Sequence, residues 1–86
     1  MGSLRFDGVW FRLYSDDHSP PHVHAYYADM SAVIDLLPEG GVAVSSRVRA
    51  YWPLNAKQSD LRRVLRVAWK HEARLRDEWQ KLRGEG

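Results

Sequence analysis

The chain has 86 residues and no cysteine, is 44% hydrophobic and 28% charged, and carries a formal net charge of +2. That length has room for one small domain with one core, and the composition is that of a folded rather than a disordered protein. It excludes disulfides and thiolate metal sites, and it offers no run of about 18 apolar residues that could span a bilayer. Residues Met1 to Phe6 lack the apolar stretch of a signal peptide, so a cytoplasmic protein is expected.

The first two-thirds reads as short strands. Leu4 and Phe6 precede Asp7-Gly8, a turn pair that would hairpin into the next strand. There Val9, Phe11 and Leu13 alternate with Trp10, Arg12 and Tyr14. Period-2 alternation of this kind puts one set toward a core and the other toward solvent. Asp16 to Pro21 reads as a loop, because two successive prolines supply no ladder donors. From His22 to Ala28 the alternation resumes, with His22, His24 and Tyr26 on one face and Val23, Ala25 and Tyr27 on the other. Ala32 to Leu37 is an apolar strand interrupted by Asp35. Pro38-Glu39-Gly40-Gly41 is a turn, Val42 to Ser45 returns antiparallel, and Arg47 to Trp52 could add a last strand stopped by Pro53.

The final third reads as helix. Asn55 with Gln58 fits a capping box, with Ser59 as a competing start. Leu61, Val64, Leu65, Ala68, Leu75, Trp79 and Leu82 trace one stripe at three- and four-residue steps, and Gly84 marks the end. Trp79 belongs to this stripe and Trp69 flanks it. A second stripe carries Arg63, Arg66, Lys70, Arg74 and Lys81. Between Asp60 and Arg83 eight basic residues stand against four acids, so this end carries +4 and the remainder −2. Such a face is either solvated or offered to an acidic partner, RNA or DNA among them.

The fold class is therefore α+β, one domain over 1–86. A small antiparallel β-sheet of about 4–5 strands, roughly residues 4–52, packs against a long C-terminal α-helix over about 56–83, with Lys70-His71 as the place for a kink or break.

Chemistry concentrates in Asp16-Asp17-His18-Ser19-Pro20-Pro21-His22-Val23-His24. Residues two apart on a strand point the same way, so His22 and His24 present their imidazoles side by side. Such a pair can ligate a divalent transition metal, Zn, Ni or Mn, with Asp17 and His18 completing the set. It can equally work without metal as general base and acid in RNA phosphodiester cleavage, because histidine titrates near neutrality. In that case Tyr14 and Tyr26 would donate to phosphate, and Arg12 or Arg66 would steady it. The structural alternative has Asp17 capping the loop and the histidines bonding backbone carbonyls. His71 lies in register with the helix's apolar stripe, suited to pack at the sheet edge or to complete a three-histidine cluster.

From Val9 to Tyr27 the sequence resembles a small bacterial family, domain of unknown function 4160 (DUF4160). Its signature is an aromatic strand, then D-H-x-P-P-H-x-H-A and a tyrosine, matched here by Asp17, His18, Pro20, Pro21, His22, His24, Ala25 and Tyr27. The likeness continues through Ala32 to Leu37 and into the helix around Trp69, Leu75 and Trp79. It departs from the family between Val42 and Lys57. The resemblance implies a short bacterial domain, often encoded beside another small protein in pairs resembling toxin–antitoxin modules. A small cognate partner protein is thus expected, with a homodimer as a further arrangement. Three functions follow: an RNA-cleaving or RNA-binding protein working at the histidine segment, a non-catalytic module binding a partner protein or DNA through the strand face and basic helix, or a divalent-metal domain.

Overall fold

A computed structural model describes residues 2–15 and 20–84. Six strands form one antiparallel sheet: β1 (Gly2–Phe6), β2 (Val9–Leu13), β3 (His22–Tyr27), β4 (Met30–Leu36), β5 (Val42–Val44) and β6 (Tyr51–Trp52). The order is β1-β2-β3-β4-β5, with β6 also pairing β4. The strand count exceeds the expected four to five, because the ambiguous Arg47 to Trp52 segment contributes the two-residue β6. Asp7 and Gly8 both take positive φ, 50° and 83°, the geometry that lets a two-residue loop follow the twist of its strands. At Gly41, φ is 88° and a Cβ would lie 2.9 Å from the Trp69 ring. Only glycine fits that turn without strain.

The alternation read from sequence sorts the sheet into two faces. One carries Val9, Phe11, Leu13, Val23, Ala25, Met30, Ala32, Ile34 and Leu36, all buried. Leu61, Val64, Val67, Ala68, Leu75 and Trp79 close over this face as the other half of the core. An antiparallel sheet tolerates water on its second face, and here the helices leave most of that face uncovered.

The C-terminal third is two helices rather than one long one: α1 (Gln58–Lys70) and α2 (Glu72–Gly84). The break is at His71, whose ψ of 24° departs from helical geometry. Its N–H still bonds Val67 O, and its own carbonyl accepts from Arg74 and Leu75, so no backbone group is orphaned. The cause is tertiary. The His71 ring stacks on Phe6 at 3.9 Å between centroids and 7° between planes, and its Nε2 lies 3.4 Å from Asp7 Oδ2. Close by, Glu72 accepts from the Gly41 N–H at 2.9 Å, and Arg76 donates to the carbonyls of Leu37 and Gly41. The residues around the break thus hold both the β1–β2 and the β4–β5 turns. The capping box expected at Asn55 and Gln58 is not formed: α1 starts with Lys57 as its N-cap, and no side chain caps it. Packing of the apolar face, rather than the cap, holds this helix start.

Two measurements test this account. Phe11 is fully buried, so Phe11→Ala is expected to cost about 3–5 kcal/mol in denaturant unfolding. Acid should loosen the turn contacts. The Asp7 carboxyl is held below its ordinary range by the His71 hydrogen bond and then by the Lys70 charge. That of Glu72 is lowered by the Gly41 N–H and then by Arg76. Groups with depressed folded values lend stability above the ordinary carboxylate range and lose it as pH falls through the folded value. The unfolding temperature is therefore expected to drop as pH falls below about 4, and less steeply in an Asp7→Asn/Glu72→Gln variant.

Candidate nucleic-acid interface

The uncovered face is built in rows by the strand register. Arg5, Trp10, Tyr26, Ser31 and Trp52 align across β1, β2, β3, β4 and β6. Ser3, Arg12, His24 and Val33 form the next row, and His22, Asp35 and Ala43 the one after. Trp10, Tyr26 and Trp52 keep 45%, 38% and 59% of their surface exposed, an unusual display of large rings for a sheet whose other face is fully packed.

Cations accompany these rings. The Arg5 guanidinium sits 5.9 Å from the Trp10 ring centroid, and Arg12 lies between Trp10 at 6.0 Å and Tyr14 at 5.8 Å. These distances suit cation–π attraction, which holds the guanidinium beside the rings. Trp10 is anchored by its indole N–H donating to the Ser3 hydroxyl. The Tyr26 phenol is pushed above its ordinary value by burial first and then by the Tyr14 hydroxyl, against a smaller opposing effect of Arg12. It therefore stays protonated, and a donor, at neutral pH.

The two histidines of β3 share a face, as their spacing requires, but not an environment. His22 is 1% exposed. Its ring packs 5.3 Å from Trp79, where the end of α2 reaches the sheet margin. Arg83 marks that junction by stacking 3.4 Å over Trp79 and donating to Tyr14 O. Nδ1 of His22 lies 2.9 Å from Pro20 O and 3.2 Å from an Arg47 Nη2. A carbonyl needs the Nδ1 proton and a guanidinium needs its lone pair, so only one can bond a neutral ring there. The Pro20 carbonyl is the nearer of the two. His24 is partly exposed, with Tyr14 edge-on at 5.0 Å and His22 edge-on at 5.3 Å.

Of the residues singled out in the sequence, this face brings together Arg12, Tyr14, His22, His24 and Tyr26. Asp17 and His18, half of the proposed metal set, lie outside the described residues. Among the described residues no three His, Asp or Glu side chains form a group that could hold a metal ion. His71 does not complete a three-histidine cluster: it packs on Phe6 on the helix side of the sheet.

The basic helix residues are also on that side, gathered at the β1–β2 turn. Arg63 donates to Asp7 O and lies 5.4 Å from the Tyr27 ring, Lys70 is 3.6 Å from Asp7 Oδ2, and Arg74 is 5.9 Å from the Phe6 ring. Arg66 is exposed and lines a shallow depression with Asp7, Arg63 and Lys70. The sheet therefore separates Arg66 and its neighbours from His24, and the two sets cannot hold one phosphate together.

Sequence reading did not single out Trp10, Arg49, Trp52 or Ser31 for function. The signal for three of them was the same alternation that marked the histidines, since Trp10, Ser31 and Trp52 fall on their face. Arg49 carried none, because its place depends on the fold of the β5–β6 connection.

The family described as Domain of unknown function (DUF4160) matches residues 8–80. The chain belongs to that family. No curated protein and no solved structure gives a match. The DUF4160 match spans β2 through most of α2, so the rows of the open face from β2 onward are part of the family's own domain rather than an addition to it. No helix among the described residues of this DUF4160 chain is long and apolar enough to cross a membrane.

The contrast between its two strand histidines can be measured. His22→Ala is expected to lower unfolding stability by about 1–3 kcal/mol, since it removes a buried hydrogen bond and the contact with Trp79. His24→Ala should change it by less than about 1 kcal/mol.

Proposed function

We propose that this DUF4160 protein binds single-stranded RNA on the open face of its sheet. The observation that carries the reading is the row of exposed rings, Trp10, Tyr26 and Trp52, with Arg5 and Arg12 against them. Every nucleobase has a face that stacks on such rings, and arginines alongside neutralise the strand's phosphates. A strand-face platform suits splayed single-stranded bases better than a duplex, whose bases are already stacked.

Binding rather than cleavage is what this arrangement supports. Acid–base cleavage by the histidine pair needs both imidazoles within reach of the ribose and phosphate. His24 is accessible, whereas His22 is sealed beneath Trp79 and Pro20.

Fluorescence anisotropy with a labelled oligouridylate tests the platform. Trp10→Ala and Tyr26→Ala are each expected to weaken binding roughly tenfold, the loss of about 1–3 kcal/mol per stacked base. An unchanged affinity in the double variant would remove the reading.

A second reading concerns the cognate partner of a toxin–antitoxin-like pair. It is favoured by Val48 and Leu54, 89% and 67% exposed in and just after the β5–β6 connection. Apolar side chains left so open suit a protein surface. Co-expression with the small protein encoded alongside should give a complex, and Val48→Asp/Leu54→Asp should abolish it without lowering the unfolding temperature.

A further inference from the structure

Beside Tyr26 the open face has a hollow of about 60 Å3, lined by His24, Tyr26, Ser31, Val33, Arg49 and Ala50. Residues carrying an imidazole, a phenol, a hydroxyl and a guanidinium line it, and no carboxylate does. At roughly 10–15 Å3 for one water, the space takes a compact group of about five heavy atoms rather than a nucleobase.

Arg49 stands in the left-handed region at φ 61°, a conformation uncommon for any residue with a side chain and free of strain only for glycine. The backbone there has little freedom to relax. The next carbonyl, of Ala50, accepts from the Val33 N–H at 2.6 Å, and Ser45 on the other side of the excursion donates to Val33 O at 2.9 Å. A short connection anchored to β4 at both ends thus holds arginine where glycine would be easier, at the rim of a donor-lined hollow.

We propose that this hollow is a phosphate site, in which Arg49 supplies the charge and His24 and Ser31 donate to the oxygens of one phosphate of the bound RNA. The inference rests on the RNA-binding reading of the same face. Tyr26 links the two, because its ring belongs to the stacking row and also walls the hollow. A base stacked on Tyr26 therefore brings its own phosphate beside Arg49. Guanidinium recognises phosphate through paired N–H donors, and the remaining donors complete the oxygens. The phosphate is either an internal phosphodiester or a 5′-terminal monophosphate.

Arg49→Gly tests the site without threatening the fold, because glycine accepts φ 61° more readily than arginine does. Its unfolding temperature should equal or exceed that of the wild type. Anisotropy is measured with oligouridylates of one length, bearing either a 5′-phosphate or a 5′-hydroxyl, across a range of salt. Loss of a charge-assisted phosphate contact is expected to weaken binding about tenfold and to reduce the salt slope by about 0.7. If the loss appears only with the 5′-phosphorylated strand, the site takes the terminal phosphate. If it appears equally with both strands, the site takes an internal phosphodiester. Arg49→Gly binding both strands with wild-type affinity and salt slope overturns the proposal, even if Trp10→Ala still weakens binding.

Inorganic phosphate separates this failure from failure of the RNA reading. Titrated into the wild type, it should shift the backbone amide resonances of Ser31, Val33 and Ala50 saturably, and not those of Arg49→Gly. Such shifts with no RNA binding leave the phosphate site standing and remove the platform. Their absence, with RNA binding intact, removes the site alone.

Discussion

The structure depends on burial of one sheet face beneath two helices. Fewer than ninety residues supply enough apolar surface for one interior, and the helices spend theirs on Val9, Phe11, Val23, Ile34 and their neighbours. Apart from Trp79, which reaches His22 at the margin, the helices do not cover the second face. That face must therefore carry side chains that tolerate water, and among its serines and histidines it sets exposed rings and arginines. The candidate interface is what remains of a small sheet once its core has been closed.

The break at His71 serves the same burial. A helix of about 25 residues would run straight for roughly 37 Å, whereas the sheet it covers is built of strands of at most seven residues. Stacking His71 on Phe6 and linking it to Asp7 turns the chain so that Leu75 and Trp79 still reach the core. Glu72 and Arg76 then close on the β4–β5 turn. Trp79 carries the consequence to the far margin, where it seals His22 and stacks against Arg83. The placement of helix α2 thus decides which of two neighbouring histidines can meet a ligand.

This is also where sequence reading met its limit. Alternation placed His22, His24 and Tyr26 on one face, and the register bears that out. It treated the histidines as equivalent, since spacing along one strand says nothing about what covers each residue. The placing of Arg66, from the basic helix stripe, beside the histidines failed for a related reason. Helical periodicity shows that the stripe's residues share a face, but not on which side of the sheet the face lies. Arg12 and Tyr14 were legible because they sit on the strand beside the histidines. Arg49 was not, because a left-handed residue in an irregular connection leaves no period in the sequence.

By itself the sequence determined the α+β class, the strand faces, the apolar stripe that closes the core, and the family, through the aromatic strand and the proline-histidine segment. These are local properties: a period of two or of three to four, a turn pair, a motif. The tertiary structure decided the break at His71, the burial of His22, the separation of the basic helix from the open face, and the approach of Arg49 to His24 and Tyr26. Each of these brings together residues far apart in the chain, and only the packing of helices against strands sets their distances.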